Sequence, residues 1–179
     1  QGHTLYAVTD KAIQAVPKPF FKALSDGMNR KAQGYAREIL RNVKDLPEGT
    51  EAAISFAIDG SLKHVFTGTG PDMSVAIRGM QHPYVLLHNH ASNDILSPED
   101  ILALIRHDNM VAIGAVGNKG ALFTCEKVFG YSREKAVSFY QSILGQYPEM
   151  HVNLEQRVQF MQSFMKGAEK YGLHFSSPG

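Results

Sequence analysis

Two histidines one residue apart, His88 and His90, follow directly on an apolar run, Tyr84-Val85-Leu86-Leu87, and a carboxylate, Asp100, stands ten positions after the second of them. Side chains on a strand alternate between faces, so residues two apart point the same way and both imidazoles can converge on one ion. Ser97-Pro98-Glu99-Asp100 has the form of a helix start, with serine as N-cap and proline at the first helical position. An aspartate at the third position of that helix can face back across the connecting loop, where free N–H groups and the helix dipole also favour negative charge. Two histidines and one aspartate make three ligands, which is what a catalytic zinc site needs when its fourth position stays open to water. Each part also has a plainer reading: a His-x-His without metal, a serine that only caps, an aspartate that helix starts favour anyway. Asp94 competes as third ligand by distance, although aspartate in a turn ordinarily serves its own backbone.

A zinc hydrolase also needs a base to take a proton from water, and position points to Glu51. It opens an expected strand whose other residues are mostly Ala, Ile and Phe. If that strand neighbours Tyr84–Leu87, Glu51 approaches the His-x-His end of the sheet. The alternative is that Glu51, with Glu48, simply ends the polar loop after Pro47.

The elements around these residues read as helix, sheet, helix. Phe21, Leu24, Met28, Ala32, Tyr35, Ile39, Val43 and Leu46 fall at three- and four-residue steps, the period of one helix face. Pro17 and Pro19 separate this stretch from a shorter helix at about 4–15, while Gly27 and Gly34 weigh against continuity. Lys22, Arg30, Lys31, Arg37, Arg41 and Lys44 read as its solvated face. From Glu51 the period becomes two: Ile54, Phe56 and Ile58 alternate with Ser55 and Ala57, Asp59-Gly60 turns, and Leu62–Phe66 returns as a hairpin. A short strand is expected at Ser74–Ile77 and a buried one at Tyr84–Leu87. The helix begun at Ser97 should run to about Asp108, and Val111–Val116 with Ala121–Cys125 predicts a second hairpin across Gly117-Asn118-Lys119-Gly120. Helices return over Ser132–Tyr147, burying Val137, Tyr140, Leu144 and Tyr147, and from an Asn153/Gln156 capping box. The latter helix would bury Leu154, Val158, Met161, Met165 and Ala168 with Phe164 beside them, and stop at Gly172.

Composition narrows the function classes. A net charge of +1 gives no electrostatic reason to expect nucleic acid. The single cysteine, Cys125, excludes a multi-cysteine zinc site and a disulfide scaffold. No apolar run has the length of a membrane span and no signal peptide is visible, so no membrane partner and a cytoplasmic location are expected. The chain opens on Gln1, as an excised domain or a processed product would. Gly114, Gly117 and Gly120 do not form a phosphate loop, because the Lys-Ser/Thr ending and the following helix are missing. A zinc deaminase would need His-x-Glu and Pro-Cys-x-x-Cys. The nuclease named for His-Asn-His needs a second, more widely spaced histidine set.

An early-strand Glu, then His-x-His, then Ser-x-x-Asp resembles the signature of the JAMM (Jab/MPN) metallopeptidases. The text HNHASNDILSPEDI is most similar to the bacterial branch, which includes RadC-like proteins and the JAMM-like domains of phage head-morphogenesis proteins and polymorphic toxins. The resemblance runs roughly from Glu51 to Glu126, leaving 1–46 and 130–179 outside it. Ala91 stands where the proline is usual, and six residues rather than seven separate His90 from Ser97.

What the resemblance implies is an α/β (α+β) fold with a central mixed sheet of about five to six strands in a JAMM/deaminase-like arrangement, flanked by N- and C-terminal helices. The corresponding division is a helical segment at 1–46, a metal-binding core at 47–128 and helices at 129–179, all in one domain. It implies zinc held by His88, His90 and Asp100, with Glu51 holding the catalytic water as general base and then acid, and Ser97 stabilising the oxyanion. The activity implied is hydrolysis of peptide or isopeptide bonds in a protein or peptide substrate. The alternative is a catalytically silent JAMM-like binding or assembly domain of a phage- or toxin-associated protein.

Overall fold

The computed structural model describes residues 4–69 and 79–178, and the strand expected at Ser74–Ile77 lies outside them. Six strands form one mixed sheet: β1 Glu51–Ala57, β2 Lys63–Gly68, β3 Tyr84–His90, β4 Met110–Gly117, β5 Leu122–Lys127 and β6 Leu173–Ser176. Their order is β2-β1-β3-β4-β5-β6. Only β3 and β4 run parallel, and α3 (Pro98–Arg106) makes the crossover between them. The other α-helices among the described residues are α1 Asp10–Ala15, α2 Asp26–Lys44, α4 Arg133–Gln146 and α5 Leu154–Ala168, the last continued by a 3-10 turn at Glu169–Tyr171. None of the described helices is long and apolar enough to cross a membrane.

Helices cover both faces of the sheet, so the central strands are buried on both sides. Ile54, Phe56, Val85, Leu87, Ala112 and Val116 meet Met28, Ala32, Ile39 and Leu40 of α2. On the opposite face Ala53, Tyr84, Leu86, Ile113 and Ala115 meet Ile101, Leu104 and Ile105 of α3, with α4 and α5 beyond. Both expected hairpins are present, one through β1 and β2 and one through β4 and β5.

Several expectations need correction. The short N-terminal helix begins only at Asp10, capped by Thr9; before it the chain is extended, and the Tyr6 amide donates to the Ala91 carbonyl at 3.0 Å. The long helix starts at Asp26, not near Phe21. Asn29 explains this: its carboxamide accepts from the Phe21 amide (2.9 Å) and donates to the Phe21 carbonyl (3.1 Å), fastening a non-helical turn to the first helical turn. Gly27 and Gly34 do not interrupt α2, and Leu46 is exposed beyond its end. In α4 Tyr140 is buried as expected, but the other buried residues are Ala136 and Ile143, each one position before the expected Val137 and Leu144; Val137, Leu144 and Tyr147 are partly buried.

The largest shift is in α5. Phe160, Met161, Phe164 and Ala168 face inward, whereas Leu154, Val158 and Met165 are exposed. Aromatic area decides the rotation: Phe160 packs on Tyr140 with ring centroids 5.0 Å apart and lies parallel to Phe164 at 5.9 Å. Asn153 caps α5 by accepting from the Gln156 amide at 2.9 Å, but the Gln156 side chain instead accepts from the Glu149 amide at 2.8 Å, so the reciprocal half of the box is absent. Gly172 does end the helical stretch, in the left-handed conformation at φ 74°, and a Cβ there would come within 2.5 Å of the Tyr131 amide. The chain then adds β6 to the sheet edge, a strand the helical pattern gave no reason to expect.

Candidate metal centre

The strand after Pro83 extends through His90, so His88 and His90 lie at its C-terminal end on the face that α3 covers. In the parallel register His88 stands beside Ala115 and His90 beside Gly117, small residues that leave room for the rings. Asp100 comes from the first turn of α3. Its Oδ1 is 3.0 Å from His88 Nε2, and its Oδ2 is 3.2 Å from His90 Nε2. The two Nε2 atoms are themselves 3.0 Å apart.

Three side chains thus bring their ligand atoms to one place, and this group can hold a metal ion. In a tetrahedral site with bonds of about 2.0–2.2 Å, neighbouring ligand atoms stand about 3.3–3.6 Å apart. With one oxygen taken from Asp100, the three ligand atoms lie within 4.8 Å of one another, so a small adjustment of the carboxylate reaches that geometry. The tautomers fit as well. His90 Nδ1 lies 3.1 Å from the Asp94 carbonyl oxygen, to which only an Nδ1–H can donate, leaving the Nε2 lone pair for the site. His88 Nδ1 is buried without a partner. Two imidazole nitrogens and a carboxylate at these distances share either protons or a metal ion.

The titration directions agree. Burial works against the Asp100 carboxylate, but His88 and then His90 outweigh it and hold its pKa well below the ordinary value. Burial also lowers the pKa of His90, yet the bond to Asp100 and its charge, the Asp94 carbonyl and the Glu51 charge together raise it.

Ser97 and Asp100 form a full capping box. The Asp100 amide donates to Ser97 Oγ at 3.1 Å and the Ser97 amide donates to Asp100 Oδ2 at 2.9 Å. The six-residue connection suffices because it reverses at once. The Asn93 amide donates to the His90 carbonyl at 2.9 Å, and Asn93 takes the left-handed conformation at φ 61°. Asp94 meets His90 through its backbone; the carboxylate beside the two rings belongs to Asp100.

Glu51 opens β1 as expected. Ala53 pairs with His88 in the antiparallel register, so Glu51, two residues earlier, falls on the same face towards His90. It is half-buried and lines, with His90, Asp94 and Ser97, a cleft of about 720 Å³. The far wall is α5, fixed to the start of α3 by the paired side chains of Arg157 and Glu99 (Nη1 to Oε2 3.0 Å).

Two contributions escaped the sequence reading. Asn89, between the histidines, points to the opposite face and is buried. Its Oδ1 accepts from the Ala52 amide (2.8 Å), its Nδ2 donates to Asn118 Oδ1 (3.0 Å), and Asn118 in turn donates to the Tyr6 carbonyl (2.8 Å). This chain of bonds ties β1, β3, the β4–β5 turn and the N-terminal strap together behind the histidines. The signal was available: Asn89 continues the buried Val85–Leu87 row, and a buried amide must find partners. The second is Gly117, where a Cβ would lie 1.8 Å from Asn93 Oδ1 and 2.8 Å from Asn93 Cα. Only a glycine lets the 91–96 loop lie against the end of β4.

Compared with known protein families, curated proteins and solved structures, the chain matches none.

Proposed function

We propose that the protein is a zinc-dependent hydrolase of peptide or isopeptide bonds, of the JAMM type, and that its mixed sheet is the JAMM arrangement. The observation that carries this reading is the convergence of His88, His90 and Asp100, with side-chain contacts of 3.0–3.2 Å, beside a cleft that His90 and Glu51 line. Two imidazoles and one carboxylate suit zinc, and leave a position for water. Bound there, zinc would supply a nucleophile at neutral pH by lowering the pKa of its water to about 7, and would polarise the carbonyl under attack.

The chain's own residues supply the rest. The Glu51 carboxylate takes the proton from water and passes it to the leaving amine, a transfer worth about 10²–10⁴-fold. Ser97 accepts the Asp100 amide with an oxygen lone pair, so its hydroxyl proton remains to be donated to the developing oxyanion, a contribution of roughly 3 kcal/mol. Asp100 is held by the Ser97 amide, and His90 by the Asp94 carbonyl, so both side chains are oriented towards the site beforehand.

Metal analysis of protein purified without chelator tests the reading. About one zinc per chain is expected, lost in His88→Ala and in Asp100→Ala. Glu51→Gln should keep the metal and abolish cleavage of quenched peptide substrates. Absence of zinc, together with no rise in thermal stability when zinc is added, overturns the proposal. Retained metal with no cleavage by the unaltered protein would favour a binding domain on the same scaffold.

A further inference from the structure

The N-terminal strap, residues 4–8, crosses the end of the sheet that carries the histidines. Leu5 lines the cleft together with Gly49, Glu51 and His90, whereas Val8 is buried in the core on the α2 side. Tyr6, at the crossing, uses both of its backbone groups. Its amide donates to the Ala91 carbonyl at 3.0 Å, and its carbonyl accepts from Asn118 Nδ2 at 2.8 Å. The Asn118 amide in turn donates to the His90 carbonyl at 3.0 Å. Tyr6, Ala91, His90 and Asn118 thus close a ring of bonds around the end of β3. Lys119 sets its Nζ over the Tyr6 ring, 4.7 Å from the centroid, and its amide donates to Asn93 Oδ1 at 3.1 Å. The strap therefore grips the 91–96 loop at Ala91, and the same loop supplies the Asp94 carbonyl that orients the His90 ring.

We infer that the strap is a latch on the metal centre: its docking at Ala91 and Asn118, and the binding of an ion by His88, His90 and Asp100, stabilise each other. This rests on the metal part of the proposed function and is independent of hydrolysis. The strap is lightly held. Thr4, Leu5, Tyr6 and Ala7 are exposed and Val8 alone of the five is buried, so little apolar area opposes its release. Its attachment comes mainly from the two bonds at Tyr6, and hydrogen bonds open to water contribute little net. The helix behind it is seated closely by contrast: a Cβ on Gly120 would come within 2.6 Å of the Ala12 carbonyl oxygen. The strap can therefore lift while α1 stays in place. Lifting frees the Ala91 carbonyl and one side of the 91–96 loop, and the Asp94 carbonyl then holds the His90 ring less firmly. An ion that needs that ring orientation binds the docked form more tightly. The coupling is reciprocal, so the factor that docking adds to the ion's affinity is the factor that the ion adds to docking. Anything that draws the strap away lowers the hold on the ion.

Amide hydrogen exchange and zinc affinity of the full chain test the latch, and neither needs turnover. Saturating zinc should slow exchange of the Tyr6 amide by about tenfold, the factor that loss of an outer partner commonly costs a metal site. The Gly60 amide, in the β1–β2 turn at the far end of β1, should not share that change. Tyr6→Pro removes the donor to Ala91 and should weaken zinc binding by the same factor, read by competition with a chelator dye. Tyr6→Phe keeps the amide and the ring and should bind zinc as the unaltered protein does. Asn118→Asp keeps an oxygen for Asn89 but loses the donor to the Tyr6 carbonyl. It should act as Tyr6→Pro does, and serves if that variant misfolds. Zinc bound by the full chain with no added protection at Tyr6 overturns the latch and leaves the metal centre, as does unchanged affinity in both Tyr6→Pro and Asn118→Asp. No zinc bound by the unaltered protein overturns the metal centre, and the latch with it.

Discussion

Asp100 and Ser97 hold each other through two reciprocal hydrogen bonds, and the same Asp100 oxygen that accepts from the Ser97 amide, Oδ2, is the one 3.2 Å from His90 Nε2. A helix cap and a candidate metal ligand are thus one carboxylate. The helix start aims Asp100, and the histidines hold it as an anion.

Replacing Ser97 by alanine should therefore act twice. Losing an N-cap hydroxyl lowers stability by about 1 kcal/mol, within a usual range of roughly 0.5–2. Freed from half of its box, Asp100 should also hold zinc less firmly, by about tenfold, as removal of an outer partner commonly does. Urea unfolding of the metal-free protein reads the first effect and competition with a chelator dye reads the second. A variant that loses stability with unchanged zinc affinity would show that the cap does not aim the carboxylate.

pH should affect the metal-free protein in a particular direction. The pKa of His90 lies above its ordinary 6.5 in the folded chain: burial opposes this, but Asp100 outweighs it. A group raised in this way adds stability that is fully present below 6.5 and is lost as pH rises through the folded value. Asp100, depressed below its ordinary 3.8, contributes above 3.8 and loses that contribution as pH falls through its folded value. Without metal, thermal stability should thus decline as pH climbs above about 6.5. Zinc competes with the proton on His90, so the stabilisation it gives should grow over the same range. Melting temperatures at a series of pH values, with and without zinc, check both trends. A metal-free melting temperature that is flat across neutrality would rule out His90 as the group responsible, as would the same slope in His90→Ala.

What was legible in the chain was local. His88 and His90 on a strand end, Ser97 as a cap, Asp100 in the first turn and the two hairpins all follow from two- to four-residue spacing, and all are present. What depended on tertiary competition was not legible. The α5 pattern put Leu154, Val158, Met161, Met165 and Ala168 on one inward face; Met161 and Ala168 are buried, but Leu154, Val158 and Met165 are exposed, because Phe160 and Phe164 pack on Tyr140 instead. Likewise β6 follows a glycine after a helical run, and its place beside β5 comes from pairing across the chain. The start of α2 was displaced by the single carboxamide of Asn29.

Asn89 should be a structural residue whose loss reaches the site. In Asn89→Leu the Ala52 amide and Asn118 Oδ1 both lose their partner in a buried region. Each unsatisfied group costs about 1–3 kcal/mol, so a total loss of roughly 2–6 kcal/mol is expected, partly offset by the added apolar contact. Ala52 adjoins Glu51, so turnover should fall more than zinc affinity does. Chemical unfolding gives the stability change, and parallel measurement of zinc affinity and peptide cleavage gives the split. Stability within about 0.5 kcal/mol of the unaltered protein would mean that the asparagine network contributes nothing net.

Gly117 carries the most indirect prediction. It touches no ligand atom, yet it stands beside His90 in the register and against Asn93 at the turn of the metal loop. An alanine Cβ would overlap Asn93 Oδ1 and come within 2.8 Å of Asn93 Cα. The Asn93 side chain can rotate away, giving up its bond from the Lys119 amide (3.1 Å), but its Cα moves only if the loop moves. The loop includes the Asp94 carbonyl, which sets the tautomer of His90. Gly117→Ala should lower stability by about 1–3 kcal/mol, as overpacking does, and weaken zinc binding by about tenfold or more through that carbonyl. The two effects separate in a double variant with Asn93→Gly, which removes the overlapping side chain, relieves the left-handed strain and lets the loop resettle. Recovery of zinc affinity in the double variant is expected. If Gly117→Ala binds zinc as tightly as the unaltered protein, the Asp94 carbonyl is not what orients His90.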